Sequence, residues 1–286
     1  MVQKGQTKIK EITFNLDVDV LTGRDLTVLA EHLARVGLDD MTWQKEQELI
    51  LWFVRSYGEL LGLSYDPQNN TIAWHEHTLG GTAVVESIAS IPSGSEDQVY
   101  LSVKRTINSV ETRHIVYMKP IYFGADVTDA FYVDSGLTYD GAATTTISGL
   151  DHLEGETVQI LADGAAHADK VVSGGSITLD RSSSKVHVGY SYDSVIQTLR
   201  MEAGADDGIS QGKIKRIHGV TVRFLDSVGA EVGPDANNLD RIPFRDSSMA
   251  MDEAVPMFDG DKEIFFPSGY DNDARVLVRQ TQPLPM

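Results

Sequence analysis

Residues 131–199 read FYVDSGLTYDGAATTTISGLDHLEGETVQILADGAAHADKVVSGGSITLDRSSSKVHVGYSYDSVIQTL. Apolar and polar residues alternate here in short runs, and clusters of Gly, Asp and Ser separate the runs. That pattern predicts a meander of short antiparallel strands, each half-buried on one face. The best strands are Thr144 to Ile147, Thr157 to Leu161, Ser176 to Leu179 and Lys185 to Val188. Asp140-Gly141, Asp163-Gly164 and Ser173-Gly174-Gly175 are the predicted turns, because glycine takes positive φ with no Cβ to clash. Nothing in the stretch has the spacing of a catalytic centre.

The totals set the frame. A chain of 286 residues suggests two domains, each large enough for its own core. It has no cysteine, which removes disulfides, thiolate metal sites and a cysteine nucleophile, and fits a reducing compartment. No apolar run is long enough to span a bilayer. The N-terminal MVQKGQTKIKEIT lacks the apolar segment of a signal peptide. The formal charge is −18, and it is uneven: residues 1–125 hold 11 basic and 16 acidic side chains, residues 126–286 hold 13 and 26. Such a chain does not wrap phosphate backbone, which needs clustered Lys and Arg. The plain reading of the charge is solubility from a surface that repels its own copies; the sharper one is a surface that DNA slides past without sticking.

On the N-terminal side, Lys8 to Leu16 reads as a strand with Ile12, Phe14 and Leu16 on one face. Thr22-x-x-Asp25 has the form of a capping box. Leu26, Leu29, Ala30 and Leu33 then recur at helical spacing, and Gly37 suits a left-handed cap, so a helix is expected over 23–36. His32 falls within it and reads as a packed or solvated side chain. Strands follow at Glu48 to Arg55, Glu59 to Tyr65, Thr71 to His77, Val84 to Ile91, Gln98 to Arg105 and Thr112 to Met118. This rhythm suits the four-stranded meanders of a propeller, with blades missing from the chain. Trp43, Trp52 and Trp74 read as core between blades. Pro120 to Asp129 marks the expected boundary.

On the C-terminal side, Met201 to Gly212 reads as an acidic, Gly-rich loop. Lys213 to Leu225 returns to strand, and Asp226 to Pro234 reads as a hairpin turn. Residues 246 to 273 carry eight acids against Lys262 alone and read as extended and exposed. Ala274 to Arg279 is the last strand, and Pro283-Leu284-Pro285-Met286 follows with no closing element. Both ends read as cuts in a longer chain.

Four patterns deserve chemical scrutiny. Gly208-Ile209-Ser210-Gln211-Gly212 fits G-x-S-x-G, but a nucleophile elbow needs a buried strand before it and a helix after it; a plain turn is the better reading. His75-Glu76-His77 places two imidazoles on one face of a strand. A metal site needs three or four ligands, and His114, His152 and His187 join only if the fold delivers them. Asp259-Gly260-Asp261 and Asp271-Asn272-Asp273 do not fit the twelve-residue calcium loop. Asp151 and Glu154, beside His152, sit in a turn region. No phosphate-cradling loop, HExxH or dinucleotide fingerprint is present. No catalytic, cofactor-binding or metal-ligating residue is therefore assigned, and no enzyme activity is expected.

Several strings resemble the nozzle, or tail tubular, proteins of short-tailed bacteriophages, in their C-terminal portion. They are Asp134-Ser135-Gly136-Leu137-Thr138-Tyr139, Ile147-Ser148-Gly149-Leu150-Asp151-His152-Leu153-Glu154-Gly155, Leu161-Ala162-Asp163-Gly164-Ala165 and Val172-Ser173-Gly174-Gly175. Lys185-Val186-His187-Val188-Gly189 and Val220-Thr221-Val222-Arg223-Phe224 follow in order. Ile50-Leu51-Trp52, Leu60-Leu61-Gly62-Leu63, Ala73-Trp74-His75 and Val103-Lys104-Arg105-Thr106 extend the likeness into the first half.

The resemblance implies a virion tail protein made in the host bacterial cytoplasm. It implies a homo-hexameric tube that contacts adaptor or portal-proximal proteins and tail fibre or spike proteins. Such a tube passes double-stranded DNA without binding it specifically, and no cofactor is implied. Members of that family run further at both ends. The expected fold is mainly β: a partial propeller-like meander over 1–122 containing the helix at 23–36, then a β-sandwich-like domain over 123–286 with an acidic C-terminal loop region. The alternative function is a carbohydrate- or receptor-binding β-module, in which Trp74, Tyr190 and Tyr192 stack on sugars. A third is a polysaccharide-degrading enzyme, which needs paired carboxylates in a cleft.

Overall fold

The computed structural model describes residues 2–16, 19–46, 48–202, 208–251, 253–266 and 269–286. The protein is mainly β, and it divides into two compact units, Met1–Pro120 and Ile121–Met286.

The first unit begins with a hairpin, β1 (Lys10–Asn15) and β2 (Val20–Asp25), paired with Phe14 opposite Leu21. The helix expected over 23–36 shrinks to one turn, α1 (Glu31–Ala34). Thr22 does not cap it, because its hydroxyl lies 3.2 Å from that of Thr13 across the hairpin. Asp25 instead accepts from the backbone N–H and hydroxyl of Thr27, at 2.9 and 2.5 Å, and turns the chain. Leu29, expected on the buried face, is 94% exposed. Cross-strand pairing has taken residues that the helical spacing also claimed. Gly37 does adopt the left-handed conformation after the turn, at φ 101.

Four strands follow in an antiparallel meander: β3 (Leu38–Gln44), β4 (Ile50–Arg55), β5 (Leu60–Asp66) and β6 (Thr71–His77). This is the strand arrangement of a propeller blade. A three-stranded meander comes next: β7 (Val84–Ser93), β8 (Glu96–Ile107) and β9 (Val110–Tyr117). The near-continuous apolar runs ILWFVR and LLGL fit strands covered on both faces. Trp52, Val54 and Leu60 pack toward Val85, Val99, Leu101 and Val103. Phe53, Leu61 and Leu63 pack on the opposite side with Ile9, Leu26, Ala34 and Leu38. Side-chain acceptors on β3 tie the two sheets: Asp40 takes the Ile88 N–H at 3.1 Å and Thr42 takes the Ser90 N–H at 3.0 Å.

The face expected to be buried on β1 is not. Ile12, Phe14 and Leu16 are all exposed, because no further sheet among the described residues covers the two-stranded hairpin. Only Ile9 and Leu26, at its base, enter the core.

The second unit opens with β10 (Asp134–Ser148), β11 (Thr157–Ala162), β12 (Ala165–Val171) and β13 (Ser176–Tyr190), in the spatial order β10-β13-β11-β12. Asp140-Gly141, expected as a turn, lies inside β10. The register with β13 shifts there and again near Thr144, so the strand bends without ending. Likewise β13 is one strand where two were expected. The pair curls around a core of Ile147, Leu153, Ile160, Ile177, Val186 and Val188. Asp163-Gly164 does form the β11–β12 turn, with φ of 48 and 75.

The remaining strands are β14 (Ser194–Gln197), β15 (Gly219–Ser227), β16 (Glu231–Asp235), β17 (Asn238–Arg241), β18 (Phe258–Phe265) and β19 (Leu277–Gln280). They form a four-stranded sheet, β14-β19-β16-β17, and a separate β15-β18 pair. Asp226 to Pro234 is therefore no hairpin turn: it carries the chain from one sheet to another. The acidic stretch 246–273 is not simply an exposed loop either. It contains β18, and Phe258, Ile264 and Phe266 join the core of Phe224, Val232, Ile242 and Phe244. The charges stay outside: Arg223 grips Asp261 with two bonds of 2.7 Å. Lys262 lies 4.3 Å from the ring centre of Phe258. Past β19, Leu284 is buried and the Pro285 carbonyl accepts from the Val228 N–H at 2.8 Å. Pro267 and residues 203–207 of the expected acidic loop lie outside the described residues.

Candidate functional site

Two titratable side chains singled out in the sequence, His75 and His77, meet directly. Both stand on the same face of β6, as period two requires. The Nδ1 of His75 lies 2.6 Å from the Nε2 of His77, so one nitrogen donates a proton and the other accepts it. The outer nitrogen of His75, Nε2, is 3.3 Å from the Ser64 hydroxyl on β5. Gly62 sits opposite His75 in the ladder, and a Cβ there would overlap the imidazole. Trp52 meets both rings edge-on, with centroids 5.8 Å from His75 and 4.8 Å from His77. Burial disfavours the charged form of both rings. It lowers the pKa of His75, and burial together with the neighbouring His75 lowers that of His77 to about 4. Near neutral pH the pair is uncharged.

The other histidines stay apart. His32 is on α1 and exposed, and His114 is on β9. His187 is buried on β13, 2.9 Å from the Thr138 hydroxyl and 2.9 Å from the Thr128 carbonyl. His152 lies 2.9 Å from the Ser135 carbonyl. Among the described residues, no group of three or more His, Cys, Asp or Glu gathers as a metal cluster.

The Ser210 turn is held by a carboxylate. Its hydroxyl and its backbone N–H both donate to Glu202, at 2.8 and 3.1 Å, and Glu202 is kept below its ordinary pKa mainly by that hydroxyl. Asp259 accepts the Asp226 N–H at 2.6 Å. Asp271 accepts from the Ala274 N–H at 3.2 Å, and Asp273 pairs with Arg200 at 2.9 Å. Of these carboxylates, Asp271 holds its own turn, while Asp259 and Asp273 tie their segments to residues distant in sequence.

Glu154 does the same in a more telling way. Its two oxygens accept the N–H groups of Gly175 and Gly174, at 2.8 and 3.0 Å, across the β12–β13 turn. Those bonds favour the carboxylate and lower its pKa. The stabilisation is present above the ordinary glutamate pKa of roughly 4.3 and is lost as pH falls through the lowered folded value. Glu154→Gln should therefore melt below the wild type at neutral pH, and the gap should close in acid. A gap that does not change with pH would refute this account.

The aromatic side chains of the sugar-stacking alternative are engaged elsewhere. Trp74 stacks on Phe53 at 5.5 Å and donates its indole N–H to the Leu26 carbonyl at 2.9 Å. Tyr190 is 4% exposed in the β10–β13 core. Burial and the nearby Tyr132 and Asp134 push the Tyr192 phenol up to about 12.

Gly62, Ser64 and Trp52 around the histidine pair were not legible as a site. The only advance signal was the H-x-H spacing itself. Compared with protein-family models and with curated proteins, the chain matches none.

Proposed function

We propose that this chain is a structural component of a bacteriophage tail, part of the nozzle that conducts the genome and retains it before ejection. The observation that carries this reading is the ordered set of strings from Asp134 to Phe224 that resembles nozzle proteins. From Asp134 to Gly189 those strings fall on the strands and turns of one sheet, and Val220 to Phe224 falls on β15: Asp163-Gly164 and Ser173-Gly174-Gly175 close turns, and Glu154 caps one of them. The charge of −18 suits a surface past which DNA moves without sticking.

In the assembly the protein meets copies of itself, adaptor or portal-proximal proteins above, and fibre or spike proteins. Negative-stain microscopy of the purified protein should show six-fold rings. A gel-shift assay with linear duplex DNA at low salt should show no retardation. A dispersed monomer in the virion tail, or tight DNA retention at low salt, would overturn the reading. Saturable glycan binding without rings would favour the receptor-recognition module instead.

A further inference from the structure

We propose that His75 and His77 bind one divalent transition-metal ion of the Zn²⁺, Ni²⁺ and Cu²⁺ class, with water completing its coordination. Two imidazole nitrogens face each other at 2.6 Å on one face of β6. An ion held by both at metal–nitrogen bonds of about 2.0–2.1 Å in tetrahedral geometry needs the nitrogens roughly 3.3 Å apart. The two rings must therefore part by less than 1 Å, roughly, which small χ rotations supply.

The surroundings fix the rings for that role. With His77 protonated on Nδ1, its Nε2 gives up the hydrogen bond to His75 and offers a lone pair to the ion. The Ser64 hydroxyl stands by the outer nitrogen of His75, and a proton on that Nε2 leaves the Nδ1 lone pair for the same ion. This is the outer-shell hydrogen bond that metal-binding histidines use. The His75 ring lies over Gly62, the one residue whose lack of a Cβ leaves room for it. Trp52 closes against both rings. The β6 strand is an edge of its sheet and both imidazoles are only partly buried, so an ion and its waters can reach them. No third His, Cys, Asp or Glu joins the pair among the described residues. With two protein ligands where structural and catalytic zinc sites have three or four, the site binds its ion more weakly than those do, keeps open positions for water and exchanges the ion. Nitrogen ligands order the class with Cu²⁺ tightest.

The test uses tag-free protein titrated with CuCl2 and ZnCl2 by calorimetry. Saturable one-to-one binding in the micromolar range is expected, with Cu²⁺ tighter than Zn²⁺. Cu²⁺ should quench part of the tryptophan emission, because Trp52 touches both rings. The electron paramagnetic resonance spectrum of the copper form should show hyperfine splitting from two nitrogens. His77→Gln should weaken binding at least tenfold, while exposed His32→Gln should leave it unchanged. Gly62→Ala, which displaces the His75 ring, should also weaken it. Should a variant fail to fold, the wild-type spectrum decides alone. Absence of two-nitrogen coupling, absence of saturable binding below millimolar metal, or full binding by a folded His77→Gln variant would overturn the proposal.

Discussion

Phe53→Ala should destabilise the Met1–Pro120 unit by about 3–5 kcal/mol, the cost of emptying a large aromatic site in a core that cannot fully collapse. Phe53 has 0% exposure, stacks on Trp74, and packs among Ile9, Leu26, Leu61 and Leu63. A typical domain has only about 5–15 kcal/mol in total, so the loss is a large share. The measurement is simple, because Trp43, Trp52 and Trp74 all lie in this unit. Urea unfolding followed by tryptophan emission thus reports on it alone. A loss of less than about 1 kcal/mol would place the ring outside the core.

Gly233→Val should disrupt the second unit at β16. A Cβ at this position would overlap the carbonyl oxygen of Asn238 and lie 3.0 Å from the Leu239 Cα. Those are backbone atoms, so no rotamer change relieves the clash and the β16–β17 pairing must open. Overpacking alone costs about 1–3 kcal/mol, and loss of ladder hydrogen bonds adds to it. Amide hydrogen exchange should quicken on β16, β17 and β19, while tryptophan emission stays native. Gly219→Ala is the control: its nearest neighbour is the Ile264 carbonyl oxygen at 3.8 Å. Wild-type exchange rates on β16 and β17 in Gly233→Val would refute this account.

Where burial is simple, the sequence announces the strand. The runs around Trp52 and Leu61 are apolar on both faces because both faces are covered, and β4 through β9 emerge close to their expected bounds. The failures have physical causes. Leu26, Leu29, Ala30 and Leu33 have helical spacing, yet β2 takes residues 23–25 of the expected helix into pairing with β1 and Asp25 turns the chain at Thr27, so one helical turn forms; a local preference of a few tenths of a kcal/mol, roughly, per residue does not resist this. The β3 strand went unseen because Asp39 and Asp40 break its pattern; the Asp40 carboxylate is used to hold the neighbouring β7 backbone. Gly141 signalled a turn and delivered a bend in a continuing strand.

The histidine pair shows the same limit. Spacing alone puts His75 and His77 on one face, but it does not say which residue of β5 lies opposite. Cross-strand register is what sets Gly62 beneath one ring and Ser64 beside it, and register is settled by contacts distant in sequence.

The uncovered hairpin at the start of the chain makes dissolved salt a control on colloidal behaviour. Phe14 and Leu21 stand side by side in water on a molecule carrying −18 charges. In dilute buffer, mutual repulsion holds such molecules apart. At physiological ionic strength that repulsion reaches only about 8 Å, close to the span of a side chain. Added electrolyte then lets greasy tips approach one another, and acidification toward the isoelectric point near 4.7 removes the barrier altogether.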